Sequence, residues 1–486
     1  MKCRLLKSVV IQETSRGAFL VSKRPFNVLK LNHPLLTLIK RGAEEAIVPE
    51  SEREVRILEE LVAGGFAERV EDPSRTAGIA PSVSVVIPVR DRAEELRRCL
   101  DSLADLHYPK EKLEVIVVDD GSNDESPEVA RKSGARLARS GGIGEGPAAA
   151  RNRGAAIAGG EILAFIDSDC VASPLWLAEL VEAFADPEMA AVGGKVDGIH
   201  SAAPLDRYEA VMSSLTLGLR ERRARHGRDT FYLPSCNLLV RHEAFRNAGG
   251  FLPDLHVGED VDLSWRLRDN GGKIAYFPKG RVRHEHRNRL ASFLRRRFDY
   301  GTSEGLLQVL HPTRRKMMAL PPISTASLVL FFTAILGKWF YCVIPAVLLL
   351  LADAALVQSR LVRHDLTFGY FRVLAARLRV LGSQVYYVGY HLIRYYGMPL
   401  LCIGLVWHGL GMLLLFLFIW ICSTDYFVRR PRLSPAAFFV YYMAEQFAYG
   451  AGVFWGCLGQ KNFSSYRLTI PQMWSPFFGQ SGKVRT

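Results

Sequence analysis

The sequence predicts an α/β fold: a mostly parallel sheet, with a small winged-helix-like unit before it and a hydrophobic helical region after it. Buried strand-like runs alternate with helical stripes between 83 and 310, and two of these runs end in paired acids. Long apolar runs after about residue 320 predict helices associated with a membrane. The predicted domains are therefore 1–72, 83–310 and 320–486.

The composition of the chain limits its class and its compartment. At 486 residues it is too long for one hydrophobic core, and its formal charge of +13 favours an anionic partner such as a nucleotide or a membrane surface. The 8 cysteines include no C-x-x-C pair, which argues against a structural zinc site and favours a reducing compartment. The N-terminus has too short an apolar run for a signal peptide, so we expect the soluble part to be cytoplasmic.

The first segment predicts strands, then helices, then a strand. Strands are expected across 4–31, and the apolar stripe after them predicts a short helix. Ser51 and Glu54 have capping-box spacing and begin a second helix, and 66–70 follows as a wing strand. The polar, proline-bearing stretch 71–82 predicts a linker to the next domain.

Acids follow two of the three buried strands in the middle domain. These strands are expected at 83–89, 113–118 and 162–166, with helical stripes between them. The acids that end the second and third strands are Asp119, Asp120, Asp167 and Asp169. Because a parallel sheet binds ligands at the carboxyl ends of its strands, we expect the four carboxylates to meet at one edge.

The Asp167-Ser168-Asp169 sequence predicts a divalent metal site. Side chains two residues apart on a strand share a face, ~6.6 Å apart if fully extended. Magnesium and manganese prefer oxygen ligands, typically one or two carboxylates completed by water and substrate phosphates. The same three residues also form an ordinary turn sequence. The buried strand before them and the second acidic strand end favour the metal.

Four segments occur in the order of the family 2 glycosyltransferases. They are VVIPVRDRAEEL, EVIVVDDGSNDES, ARNRGAAIAGGEILAFIDSDC and GEDVDLSWRLRDNGGK. The chain resembles that family, whose GT-A fold binds a nucleotide sugar, over 83 to about 300. The resemblance implies that Pro88 and Arg90, with Asp119 and Asp120, bind the nucleoside. It implies that Asp167 and Asp169 form the metal and diphosphate motif. It implies that Asp260 is the catalytic base.

Two further residues have a possible role in this resemblance and an ordinary alternative. Arg151 faces the diphosphate or is a solvated arginine at a helix start, and His284 meets the metal or is a structural histidine. The segment 295–298 departs from the Q-x-x-R-W sequence of processive family members, which argues against channel-coupled polymerisation. Its arginines are expected to meet anionic lipid or solvent.

The chemistry of sugar transfer requires these residue types. A nucleotide sugar leaves as a diphosphate, and a manganese or magnesium ion held by Asp169 and Asp167 would neutralise its charge. The acceptor hydroxyl loses a proton as it attacks, which the carboxylate of Asp260 would take with inversion at the sugar. Glu259 and Asp260 also suit the first turn of a helix, and both readings are compatible.

The C-terminal segment predicts membrane helices. Apolar runs lie at 323–336, 339–357 and 398–422, and the last contains no acid, lysine or arginine. A weaker, aromatic-rich run at 436–458 is a further candidate for a membrane span, and it also fits an interfacial or packed helix. We therefore expect the protein at the cell membrane, with its catalytic domain in the cytoplasm.

The first domain resembles the PqqD-like peptide-recognition domains, through Leu31-Asn32 before a helix and ELVAGGFAERV after it. Together the three domains resemble the mycofactocin-system glycosyltransferases. That resemblance implies transfer of glucose from UDP-glucose to a peptide-derived redox cofactor. A leader peptide would then add a strand to the edge of the first domain's sheet, for which we expect 19–22 to be the edge strand.

Three alternatives remain. The same catalytic motifs serve enzymes whose acceptor is a lipid-linked or cell-envelope glycan, and the hydrophobic tail suits them. A membrane-tethered peptide-binding scaffold is the second, although the intact acids argue against a silent domain. A winged-helix regulator that binds nucleic acid is the third, and the acidic helical region of the first domain disfavours it.

Overall fold

The computed structural model describes most of the chain. The residues it describes are 2–470, apart from 24–25, 43–45, 71–79, 143, 225–229, 315, 317, 319 and 338. Most of the predicted linker, 71–82, therefore lies outside the described residues. So does the end of the predicted C-terminal domain, 471–486.

The N-terminal part has the predicted order of elements. Its strands and helices are β1 (Lys2–Leu5), β2 (Val9–Thr14), β3 (Gly17–Lys23), β4 (Phe26–Leu31), α1 (His33–Arg41), α2 (Glu52–Ala63) and β5 (Ala67–Val70). The Ser51 side chain accepts from the Glu54 amide and caps α2, as its spacing predicts. β1 pairs with β5, and β3 lies between β2 and β4. The expectation that 19–22 forms an edge was wrong, because β3 pairs on both sides, and the edges are β2 and β4.

The middle part alternates strands and helices as predicted. Its elements are β6 (Val83–Val89), α3 (Ala93–Ala104), β7 (Leu113–Asp119), α4 (Ser126–Lys132), β8 (Arg136–Arg139), α5 (Pro147–Ile157), β9 (Ile162–Ile166), β10 (Cys170–Ala172), α6 (Trp176–Val181), β11 (Met189–Gly193), β12 (Val196–Gly198), α7 (Pro204–Met212), β13 (Arg222–Arg223), β14 (Asn237–Arg241), α8 (His242–Asn247), α9 (Glu259–Asp269), β15 (Lys273–Tyr276) and β16 (Val282–His284). β8 was not predicted, since its four residues are short and polar.

The main sheet is mixed, with the parallel half bearing the acids. Its order is β13-β15-β11-β14-β9-β6-β7-β8. β6 pairs in parallel with both β7 and β9, so the carboxyl ends of these strands meet at one edge. β14 runs antiparallel to β9 and to β11, where the sequence predicted a mostly parallel sheet. Every residue of β6 is buried, and a hydrophobic core lies against each face of the sheet.

The C-terminal part is helical, and two of its helices are long and apolar enough to cross a membrane. The helices are α10 (Leu290–Leu310), α11 (Pro322–Leu336), α12 (Val343–Val362), α13 (Tyr370–Val406), α14 (His408–Arg429) and α15 (Pro435–Gly459). The two candidate spans are Phe340–Val362 and His408–Arg429. The run 398–422 was expected to span as one helix, but α13 ends and α14 begins around Trp407. α11 has 15 residues, and its length of about 22 Å is less than the apolar thickness of a bilayer.

Glycines bring α10 into close contact with α15. A Cβ atom at Gly301 would lie 2.2 Å from the carbonyl oxygen of Tyr449, and one at Gly456 would lie 2.1 Å from that of Thr302. Side chains of α7 and α10 also share a hydrophobic cluster with α13, α14 and α15. Helices α7 and α10 are therefore joined to the C-terminal helices by a packed interface.

Candidate active site

The acids after β7 hold the loops around them. Asp120 accepts from the Ser140 hydroxyl at 2.7 Å and from the amides of Glu145 and Gly146 at 3.0 and 2.9 Å. Asp119 accepts from the amide of Ser122 at 3.0 Å, within its own turn. Asp120 therefore fixes the loop that enters α5 and lines the cavity described below, whereas Asp119 stabilises the turn behind it.

Arg151 joins two acids of the site. Its side chain is 3% exposed, with Nη2 2.6 Å from Oδ1 of Asp167 and Nη1 2.9 Å from Oε1 of Glu259. Both terminal nitrogens are therefore engaged by protein carboxylates. Arg151 was expected to face the diphosphate or solvent, and a solvated position is excluded by its burial. Glu259 was expected only as a helix-start acid.

Asp169 and His284 come together at a three-stranded sheet of order β10-β16-β12. In this sheet Cys170, the residue after Asp169, pairs with His284. The Nε2 atom of His284 lies 3.5 Å from Oδ1 of Asp169, and Arg92 donates to the other oxygen. Although burial opposes it, the charges of His284 and Arg92 lower the pKa of Asp169 below its ordinary value. Asp169 is therefore held as a carboxylate.

The residues around Asp169 fit a divalent cation. One ligand atom from each of Asp169, Cys170 and His284 lies within 4.8 Å of the other two. The buried Nδ1 atom of His284 has no hydrogen-bond partner among the described residues. Burial raises the pKa of Cys170 well above its ordinary value, which disfavours the thiolate. Because manganese and magnesium prefer oxygen ligands, the carboxylate of Asp169 is the strongest ligand of the three.

Asp260 lies in the first turn of α9. The residue that caps this helix, Gly258, has a left-handed backbone conformation. Its Oδ1 accepts from the Val261 amide at 2.8 Å and its Oδ2 from the Ser235 amide at 3.3 Å. Burial and the neighbouring charge of Glu259 raise the pKa of Asp260 to about 7. A carboxyl group with that pKa can take up a proton near neutral pH.

One cavity of about 1150 Å³ brings the predicted residues together. Of the predicted site residues, those that line it are Pro88, Arg90, Asp120, Arg151, Asp167, Asp169, Asp260 and His284. Pro88 lies in β6 beside Val118, and Arg90 extends from the end of that strand to the Gly144 loop. The cavity continues along α10 to side chains of α13 and α15.

The cavity also contains groups that sequence reasoning missed. Arg297 was expected to meet lipid or solvent, but it is buried. Its Nη2 lies 2.6 Å from Glu209, and its Nε lies 3.5 Å from Glu445 of α15. The hydroxyl of Tyr208 donates to the same Glu445 at 2.7 Å. These partners are distant in sequence, so no local pattern indicates them.

Comparison with known proteins first gives the class of enzyme. The sequence profile of the family "Glycosyl transferase family 2" matches residues 84–249. The glycosyltransferase AglE of Haloferax volcanii is 32% identical over 202 residues, which cover 40% of this chain and 64% of the relative. The chain is a glycosyltransferase, and its described strands and helices form an α/β fold.

A longer match gives the family. The pre-mycofactocin glycosyltransferase of Mycobacterium tuberculosis is 31% identical over 398 residues, covering 80% of this chain and 82% of the relative. The chain belongs to glycosyltransferase family 2, in the mycofactocin-system group that includes this relative. A mannosyltransferase of Pyrobaculum calidifontis, solved with GDP-Man and Mn2+, is 21% identical with a TM-score of 0.38, covering 63% of this chain and 88% of that one. A superposition this loose bears neither on the ligands nor on the mechanism of this chain.

Proposed function

We propose that the protein transfers glucose from UDP-glucose, with inversion, to a peptide-derived redox cofactor precursor of the mycofactocin type. The name of the relative that matches most of the chain supports this acceptor. The observation that carries the reaction is the single cavity that joins Asp169 and His284 to Asp260. Donor activation and proton removal would then occur within one cavity.

Each residue has a proposed role. Pro88, Arg90 and the turn of Asp119 and Asp120 bind the nucleoside, and Asp169, His284 and Asp167 hold manganese or magnesium. The ion, when bound, supplies positive charge to the leaving diphosphate. Asp260 takes the acceptor proton on its carboxylate. Arg151 is a positioning residue, because its two carboxylate bonds fix Asp167 and the start of α9.

The flanking parts have proposed roles in location and recognition. We place the protein at the cell membrane, with Phe340–Val362 and His408–Arg429 spanning it and the catalytic part in the cytoplasm. The N-terminal unit is proposed to be a PqqD-like domain that binds peptide. An extended peptide would pair with β2 or β4, the two edges of its sheet.

A lipid-linked glycan acceptor is the second candidate. It is favoured by the large apolar side chains that α12 and α14 expose, including Ile344, Leu348, Met412 and Trp420. These side chains would meet lipid acyl chains, where a lipid-borne acceptor would also lie.

The experiment is UDP release by the full-length enzyme in detergent, with UDP-glucose and other UDP sugars, with and without Mn2+. A peptide-derived cofactor precursor and a polyprenyl-linked sugar are added in turn. The proposal expects metal-dependent UDP release that the cofactor precursor accelerates and that yields a sugar adduct detectable by mass. Acceleration by the polyprenyl-linked sugar alone would favour the second candidate.

A further inference from the structure

The turn between α12 and α13 packs against the N-terminal unit. Apolar side chains of β3 and β4 share a buried cluster with the end of α12, the turn and the start of α13, and its members are Phe19, Val21, Val28, Val357, Leu361, Leu366 and Val373. The Ser15 hydroxyl donates to Asp365 in this turn, and the Nε atom of Arg16 lies 3.9 Å from the same carboxylate. The N-terminal unit therefore holds the turn in place.

Four cations near this turn have no carboxylate to neutralise them. We call them the basic turn, and they are Lys30, Arg360, Arg363 and Arg372. The three arginines are exposed, and none of the four forms an ion pair within the part of the chain that the structure describes. From Ala354 to Thr424 the sequence has a single acid, Asp365, which already lies beside Arg16. The basic turn therefore carries a surplus of positive charge.

The N-terminal unit adds its own charge to the turn. Burial and then the charges of Lys30 and Arg16 lower the pKa of His364 below its ordinary value, so both cations lie close to that residue. Arg372, at the start of α13, has its guanidinium carbon 5.8 Å from the ring centre of Phe368 in the turn. The cations of β4, α12 and α13 therefore belong to one neighbourhood.

Exposed apolar side chains accompany these cations in the sequence. Val362 precedes Arg363 and is 55% exposed, and Phe371 precedes Arg372 and is 83% exposed. A surface that mixes cations with large apolar side chains suits the boundary between lipid headgroups and acyl chains. An acidic peptide or a nucleic acid would neutralise the arginines but would leave Val362 and Phe371 in water. The combination therefore favours a lipid surface over either polymer.

The basic turn also follows directly on a candidate membrane span. That span, Phe340–Val362, ends between Arg360 and Arg363. Groups of about four to eight cations immediately cytoplasmic of a membrane helix typically bind anionic lipids. Salt screens this attraction within ~8–10 Å, so the cations must lie close to the headgroups. Arg360 and Arg363 meet that condition because they flank the last residue of the span.

We propose that the basic turn binds the anionic phospholipids of the membrane surface, with Val362 and Phe371 at the boundary of the acyl chains. The inference rests on the membrane placement in the proposed function and adds the class of lipid. Headgroup phosphates accept from the cations of the basic turn. Because β3 and β4 pack on the same turn, this contact also keeps the N-terminal unit close to the membrane.

The test measures binding of a fluorescent phosphatidylglycerol to the full-length protein in a neutral detergent, by fluorescence anisotropy. Unlabelled phosphatidylglycerol, phosphatidylcholine and a hexaglutamate peptide compete in turn. The triple variant combines Arg360→Gln, Arg363→Gln and Arg372→Gln. Its control removes the same charge from exposed positions of the catalytic part, through Arg97→Gln, Arg131→Gln and Arg153→Gln.

We expect saturable binding that phosphatidylglycerol displaces at concentrations about tenfold lower than phosphatidylcholine. The triple variant should raise the Kd of the labelled lipid by about tenfold or more, because each cation near an anionic surface contributes to binding. The control should stay within about twofold of wild type. Raising NaCl from about 0.05 M to about 0.5 M should weaken binding to wild type far more than to the triple variant.

Equal displacement by the two lipids would overturn the inference, and so would an equal Kd in the triple variant and its control. Displacement by hexaglutamate at lower concentrations than by phosphatidylglycerol would overturn it too, because the surface would then prefer an acidic peptide. If the triple variant fails to fold, as judged by lost UDP release, the three single variants decide by the same criterion.

Sedimentation of the full-length protein without detergent keeps the two possible failures apart. A protein that stays in the supernatant would contradict the membrane placement of the proposed function, and the inference with it. A protein that sediments with membranes but shows no lipid selectivity would contradict the inference alone.

Discussion

The Nη2 atom of Arg151 donates to Oδ1 of Asp167 over 2.6 Å, from a side chain that is 3% exposed. This bond connects α5 to the end of β9 inside the active site. The other terminal nitrogen of Arg151 bonds Glu259, the residue before the proposed base. One buried arginine therefore sets the spacing between the acids proposed to bind the metal and α9, which carries the proposed base.

Arg151→Gln should destabilise the protein. Removal of one partner of a buried ion pair leaves an uncompensated charge and typically costs about 3–5 kcal/mol. Thermal unfolding with and without the substitution measures this. Arg153→Gln is the matched control, because Arg153 is exposed on the same helix and should change stability by less than about 0.5 kcal/mol. If the two substitutions changed the stability equally, the ion pairs of Arg151 would not contribute to it as we expect.

Asp169→Asn should abolish metal-dependent donor binding and transfer. An amide carries no charge for the cation and cannot replace the carboxylate beside His284. Binding of Mn2+ and of UDP-glucose is measured separately by calorimetry, with Asp101→Asn, an exposed acid of α3, as control. Mn2+ affinity that is the same in both variants would remove Asp169 from the metal site.

Gly456→Ala should weaken the packing between α10 and α15. A Cβ there would lie 2.1 Å from a backbone oxygen of α10, so the helices must separate, and overpacking of this kind costs about 1–3 kcal/mol. Gly459→Ala is the control, since a Cβ at Gly459 meets nothing within 4 Å. Unfolding temperature and UDP release are measured for both. Indistinguishable values would mean that α10 and α15 do not depend on close contact.

Local sequence patterns predicted the elements that carry the chemistry. β6 and β9 are continuous buried runs, and the acids that follow β9 interrupt an apolar stretch abruptly. Carboxylates at such positions require a partner or a ligand, which is why the sequence predicted a site at this strand end. Ser51 likewise predicted the start of α2, because a cap needs only neighbours in sequence.

Contacts between distant parts of the chain were not predictable in this way. The break between α13 and α14 at Trp407 lies within an uninterrupted apolar run. Hydropathy alone therefore predicted one helix where the structure has two. The sequence around Arg297 is typical of a surface arginine, because its partners Glu209 and Glu445 lie far away in the chain. The central position of β3 depends on which strands pair, which the alternation of side chains within one strand does not specify.

Asp260→Asn should lower turnover by about two to four orders of magnitude while leaving donor and metal binding intact, as expected for loss of a general base. The pKa of Asp260 is raised to about 7, so in wild type the rate should rise with pH below about 7 and level off above it. The residual rate of Asp260→Asn should lack that rise. Loss of donor binding in this variant would instead make Asp260 a binding or structural residue.

Asp260→Asn, which should lower turnover, should also stabilise the folded protein as the pH rises. The pKa of Asp260 is raised in the folded protein from an ordinary value of 3.8 to about 7. Between these values the unfolded chain ionises first, so Asp260 progressively disfavours the folded state, and the full cost is present above about pH 7. An asparagine has no charge to bury. The unfolding temperature of Asp260→Asn, relative to wild type, should therefore rise from pH 4 to pH 8, and a difference that is constant or falls would contradict the raised pKa.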